Sequence, residues 1–196
     1  MLWKICLWCF AFMLCCSCHR NQPQGGENAN GAAEQQAGAG GAERRTIKLT
    51  STAFQEGGMI PVQYTCAGAN VSPPLAWGDV PAETKALALV VDDPDAPRGT
   101  WVHWVAYNLS PATKTLPENV PALEALAGGG QQGKNDFGKL GYGGPCPPDG
   151  THRYYFKLYA LNAELNLPAG ATKQDLLKAM YGHILDEGQL LGRFKR

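Results

Sequence analysis

The sequence carries no surplus of either charge: Lys+Arg is 17 and Asp+Glu is 17, a formal net charge of +0. A nucleic-acid binder normally gathers a positive excess to neutralise phosphates, and this chain has none to gather. Charged residues of both signs together make up only 17 %. Internal repeats are absent, and so is any uncharged apolar run of the ~18 residues that a membrane-spanning helix needs. From His19 to Arg45 there is no Val, Ile, Leu, Met, Phe, Trp, Tyr or Cys. Without large apolar side chains that segment cannot offset its own ordering entropy, so no packed structure is expected there. Cysteine is sparse beyond the first eighteen residues, where only Cys66 and Cys146 remain of the seven. Gly (24) and Pro (14) are plentiful, which excludes a coiled coil or helical bundle and favours a loop-rich, strand-based domain.

The N-terminus reads as a targeting segment. Lys4 is followed by an uncharged apolar stretch that ends at Cys15-Cys16-Ser17-Cys18, and His19-Arg20 breaks it. That length suits a signal-peptide core. Ser17 before Cys18 resembles a bacterial lipoprotein cleavage site, with Cys18 as the lipidated residue, although Cys15 stands where an aliphatic side chain is usual. A plain secretory signal or an uncleaved anchor is the competing reading. Residues 1–18 are therefore expected to be a signal peptide and residues 19–45 a flexible tether, roughly 30 Å long as a random coil. The expected location is the bacterial cell envelope, facing the periplasm or the cell surface, with the membrane engaged only through the lipid anchor. In an exported domain, Cys66 and Cys146 invite a disulfide. Two separate thiols in two loops is the alternative.

Residues 46–196 form the predicted domain. Thr46–Phe54 alternates and reads as a half-buried strand, and Ile60–Thr65 as a second. Ser72-Pro73-Pro74-Leu75-Ala76-Trp77 is extended, because each residue before a Pro is pushed out of the helical region. Ala86–Val91 is continuously apolar, as a strand buried on both faces would be. Trp101–Leu109 and Arg153–Leu161 are aromatic-rich strands. Ser110–Gly144 shows little periodicity. One helix is expected, capped by Thr172, with Leu176, Leu177, Met180, Tyr181 and Ile184 at helical spacing. Gln189–Phe194 reads as a short closing strand. Several strands with long connections and one late helix predict a mainly β fold, a β-sandwich.

Three segments concentrate polar chemistry. Asp92-Asp93-Pro94-Asp95-Ala96-Pro97 follows the apolar strand directly, and its carboxylates need partners, donors or a raised pKa. Taken alone it is an acidic surface turn. In Trp101-Val102-His103-Trp104, period 2 places His103 on the face of Trp101, Val105 and Tyr107, where a lone His is more often a satisfied core residue. In Gly144-Pro145-Cys146-Pro147-Pro148-Asp149-Gly150-Thr151-His152-Arg153-Tyr154, alternation groups His152 with Tyr154, Phe156 and Leu158. Arg153 then points away and reads as a structural partner for an acidic loop. Two histidines, a tyrosine and an acid at loop–strand junctions can together build a small ligand site. Imidazolium, phenol and backbone N–H groups are donors, so the preferred guest is an oxyanion.

Asp93-Pro94-Asp95-Ala96-Pro97 with His103-Trp104, and Gly144 to Tyr154, resemble the two signature regions of the phosphatidylethanolamine-binding proteins. Ser72–Trp77 and Gly182-His183-Ile184-Leu185-Asp186 resemble the bacterial, Raf-kinase-inhibitor-like branch. The resemblance spans about residues 46–195. It implies a Greek-key β-sandwich with a few short helices, and an anion pocket for phosphate or a phosphorylated head group. By motif, that pocket is lined by Asp93, Ala96, Pro97, His103, Gly144, Pro147, Pro148, His152 and Tyr154. The expected function is a non-catalytic binding module needing no cofactor and no nucleic acid, with a small anionic ligand and an unidentified protein partner that it could modulate. One alternative is a hydrolase or phosphatase using Cys146, His152 and Asp93. A metal site from His103, His152, Asp93 and Cys146 lacks the usual tight ligand spacing. An inhibitor of a kinase or protease follows from the family alone.

Overall fold

The structure, a computed structural model, describes residues 47–196. The signal, Cys18 and tether expected over residues 1–45 lie outside the described residues. In chain order the strands are β1 (Leu49–Thr50), β2 (Gly58–Met59), β3 (Leu75–Trp77), β4 (Ala86–Asp93), β5 (Trp101–Leu109), β6 (Thr115–Leu116), β7 (Gln131–Gln132), β8 (Thr151–Leu161) and β9 (Ile184–Lys195). A 3-10 turn spans Val62–Tyr64, and helix α1 spans Lys173–Met180. One sheet has the order β1-β3-β6 and the other β2-β9-β8-β4-β5-β7. Every pairing is antiparallel except β2 with β9.

The main core includes Leu49, Leu75 and Trp77 of the small sheet and Leu87, Leu89, Val91, Trp104, Phe156, Leu158 and Leu190 of the large one. A second core lies on the other face of the large sheet. There Ala88, Val90, Val105 and Tyr107 pack with Leu165, Leu176 and Met180. Strand β4 is covered on both faces, and all eight of its residues are buried. Its continuous apolar run therefore marks a doubly covered strand, here within an antiparallel sheet. Thr172 caps α1 as expected. Its hydroxyl accepts from Asp175 N–H while the Asp175 carboxylate accepts from Thr172 N–H, a reciprocal capping box.

Four expectations need correction. The stretch Ile60–Thr65 is not a strand. Ile60 N–H still bonds to Arg193 O, but Pro61 has no N–H for a ladder and begins the 3-10 turn, with Tyr64 N–H donating to Pro61 O. Within Thr46–Phe54 only Leu49–Thr50 pairs, although Ile47 and Leu49 are both buried as the alternation predicts. Ser51 ends the pairing: its hydroxyl donates to Pro74 O and accepts from Ala53 N–H. Helix α1 stops at Met180, before Tyr181 and Ile184. Gly182 turns the chain at φ +78°, leaving Tyr181 88 % exposed, and Ile184 begins β9.

The closing strand is also longer than Gln189–Phe194, running 12 residues along the whole of β8. Its inward positions include Asp186, Gly188 and Gly192 beside Leu190 and Phe194, so hydrophobic alternation shows only the last part. The glycines are required by close packing. A Cβ on Gly188 would stand 1.9 Å from Ile47 O, and one on Gly192 would stand 2.5 Å from an Ile60 side-chain carbon.

Candidate functional site

Strand order gathers the site. Strand β4 lies between β5 and β8 and is antiparallel to both, so its C-terminal end meets the N-terminal ends of its two neighbours. Asp93 at the end of β4, His103 near the start of β5 and His152 near the start of β8 therefore converge. The 94–100 and 141–150 segments close the space around them.

His103 does not share a face with Val105 and Tyr107. Asp92 pairs with Val102 but Val91 pairs with Trp104, which leaves His103 as the extra residue of a β-bulge. The bulge resets the alternation. Val102, Val105 and Tyr107 face the α1 side, while His103 turns with Trp101 toward Phe137 and Tyr154. The His103 ring is held edge-to-face, with centroids 5.4 Å from Phe137 and 5.2 Å from Tyr154. Its Nδ1 donates to Gly143 O at 2.6 Å. Burial pushes the imidazole below its ordinary pKa, and the nearby Gly143 carbonyl and the charges of Asp93 and Asp136 oppose that without reversing it.

His152 Nδ1 donates to Asp93 Oδ2 at 2.7 Å, and both side chains are nearly buried. Asp93 Oδ1 accepts from Asp95 N–H at 2.8 Å, so both carboxylate oxygens are engaged. The turn is held in place from outside the site. Asp95 receives Arg153 Nε at 2.9 Å and Nη2 at 2.6 Å, the structural partnership expected of Arg153. Those bonds hold the Asp95 carboxyl down at about 2.

The second wall is stitched to the 64–70 segment. Cys66 and Cys146 form a disulfide with a Cα–Cα distance of 5.4 Å. Cys66 N–H donates to Pro145 O, Gly144 N–H to Asn70 Oδ1 and the Tyr142 hydroxyl to Tyr64 O. Gly144 is required at this seam, since a Cβ there would stand 2.5 Å from Tyr64 O.

Asp93, Ala96, Pro97, His103, Pro147, Pro148 and His152 line one cavity of about 370 Å³. Arg98, Trp101, Phe137 and Cys146 complete the lining. Two of the expected lining residues do not reach it. Gly144 borders an adjoining cavity of about 420 Å³, with Asn70, Asn135 and Leu140. Tyr154 is fully buried behind the His103 ring. Its hydroxyl has no hydrogen-bond partner among the described residues, and burial, with the Asp93 charge next, pushes its pKa up. Of the residues the motifs missed, Trp101 shares the His103 side of β5 and Arg98 directly follows Pro97. Phe137 sits in the aperiodic 110–144 stretch, which gives no signal for it.

Bridged to Cys66, the Cys146 sulfur offers no thiolate for nucleophilic attack in this state. Among the described residues, no group of three or more His, Cys, Asp or Glu side chains is placed to hold a metal ion.

Comparison with known proteins agrees with this architecture. The family model described as phosphatidylethanolamine-binding protein matches residues 50–195. A UPF0098 protein of Methanothermobacter thermautotrophicus is 53 % identical over 150 residues, covering 76 % of this chain and 99 % of the relative. A UPF0098 protein of Aquifex aeolicus is 47 % identical, with 81 % and 92 % covered. A solved phosphatidylethanolamine-binding protein homologue from Chlamydia trachomatis matches with a TM-score of 0.71 at 45 % identity, covering 77 % of this chain and 98 % of its own. The crystal structure of Escherichia coli YbcL, titled a new member of the mammalian PEBP family, gives a TM-score of 0.71 at 29 % identity, with 78 % and 99 % covered. With its domain matched from end to end, the chain belongs to the phosphatidylethanolamine-binding protein family.

Proposed function

We propose that this family member is a non-catalytic binding protein whose cavity takes a small phosphorylated anion. The observation that carries this reading is the convergence of His152, locked by Asp93, with His103 on one concave wall. Asp93 accepts from Nδ1, so His152 Nε2 is the nitrogen left to meet a guest. Arg98 adds a positive charge at the lining. Apolar walls from Pro97, Pro147, Pro148 and Phe137 exclude water around the bound group.

Calorimetric titration with inorganic phosphate tests the reading. Binding is expected for the wild type, and His152→Ala should weaken it about tenfold or more, the scale of one charge-assisted hydrogen bond. Unchanged affinity in that variant would remove His152 from the central role.

Export and tethering belong to residues 1–45 rather than to the family. The archaeal relative matches almost its full length while covering only 76 % of this chain, and archaeal homologues argue against export as a family trait. The proposal rests on the apolar stretch before Cys18 and the Gly/Ala/Gln-rich segment after it. Intact-mass measurement on chain recovered from bacterial membranes should show a mature N-terminus at Cys18 carrying acyl groups. A mature chain starting elsewhere, or without acyl mass, would leave the tether without its anchor.

A further inference from the structure

Resting on that anion reading, we propose that His103 selects the guest by its protons: the cavity takes an oxyanion that still carries an O–H and rejects one of equal charge and size that does not. The inference follows from hydrogen-bond polarity. A carbonyl only accepts, so the 2.6 Å contact with Gly143 O fixes the proton of His103 on Nδ1. The other ring nitrogen, Nε2, makes no hydrogen bond among the described residues, while His103 lines the cavity. Phe137 and Tyr154 hold the ring edge-to-face on two sides, and a ring flip would forfeit the Gly143 bond. Burial lowers the imidazole pKa, so the ring is neutral at pH 7 and Nε2 presents a lone pair.

A lone pair facing an anionic oxygen repels it, whereas a guest O–H turns the same contact into a hydrogen bond. The neighbouring carboxylate of Asp93 cannot supply the missing proton, since its oxygens already accept from His152 and Asp95. The guest must therefore bring its own donor to His103 while accepting from His152 or Arg98. Inorganic phosphate at pH 7 carries at least one O–H in both of its forms. Sulfate carries none, although its dianion matches hydrogen phosphate in charge and closely in size. Dimethyl phosphate carries none either, at a single negative charge.

The test is calorimetric titration of the full-length chain at pH 7 with inorganic phosphate, sulfate and dimethyl phosphate at constant ionic strength. Phosphate should bind at least about tenfold more tightly than either competitor, the scale of leaving a buried polar contact unsatisfied. Sulfate binding as tightly as phosphate would overturn the role of His103 and leave the anion cavity standing. No binding of any of the three would defeat the anion reading and this inference with it. A second measurement needs no variant. Nitrogen-15 NMR of the histidine rings should show His103 protonated at Nδ1 and bare at Nε2, and a proton on Nε2 would overturn the assignment. His103→Gln, whose amide can donate, should narrow the phosphate-to-sulfate ratio toward unity, and an unchanged ratio counts against the proposal.

Discussion

A buried histidine has a cost that depends on pH, and His103 should make it measurable. Its side chain is only 2 % exposed, and burial depresses its pKa below the ordinary 6.5. The unfolded chain therefore takes up a proton near pH 6.5 that the folded chain refuses. Stability rises with pH wherever the unfolded state binds more protons, so this contribution is present above pH 6.5 and is lost as pH falls through the folded pKa. The charges of Asp93 and Asp136 face the ring and moderate the loss. Denaturant midpoints measured from pH 7.5 to 5 should fall more steeply for the wild type than for His103→Gln, which cannot titrate. Parallel curves would show that the ring is not desolvated as the structure places it. The same residue shows how a sequence hides geometry. Period 2 assigns His103 to the Val105 face, and only the bulge opposite Val91 and Asp92 turns it into the site. A bulge is set by the pairing of two strands, which no local pattern within one of them records.

At the scale of elements, β4 organises both halves of the molecule. Asp93 at its end faces the cavity, and Asp92 beside it faces the other side of the sheet, only 1 % exposed. Asp92 accepts from Lys157 Nζ at 3.0 Å on β8 and from Lys173 Nζ at 2.5 Å in the first turn of α1. That pair of contacts pins the helix to the sheet across the edge of the second core. Asp92→Ala should cost about 2–3 kcal/mol by chemical denaturation. This is less than the 3–5 of a fully buried ion pair, because both lysines can return to water. Hydrogen exchange in α1 should speed up before that in β8; equal protection in both would place the helix's anchorage in its Leu176 and Met180 contacts instead. Of the four long strands, β4, β5 and β8 were legible from apolar and aromatic runs and β9 only in its last part, and the helix start was legible from Thr172. The two-residue strands β2, β6 and β7 were not, because each is fixed by one or two partner residues and has no periodicity of its own, while β1 showed only as part of the longer Thr46–Phe54 alternation. The site followed a similar division. Asp93, His152 and the prolines stood out as motifs, whereas Phe137 enters the cavity only through tertiary packing.

Across the whole molecule, the disulfide joins the segment that follows the 3-10 turn to the loop that walls the cavity. It closes a sequence separation of 80 residues. A loop of that length removes enough unfolded-chain entropy to add about 4.5 kcal/mol in the loop-closure model. For a domain of this size, that corresponds to about 10–15 °C in Tm. The bridge also does local work, since Cys146 and Pro147 line the cavity and Pro145 O holds Cys66 N–H. Reduction should therefore lower Tm and weaken phosphate binding together, as should the paired substitution Cys66→Ser with Cys146→Ser. The comparison between the two effects is informative. If Tm falls while affinity holds, the hydrogen bonds from Gly144 to Asn70 and from Tyr142 to Tyr64 position the wall unaided. If neither changes, the bridge contributes to neither the unfolded ensemble nor the cavity. A loss of both would tie ligand capture to an oxidising compartment, the setting that residues 1–18 would give this domain if they export it.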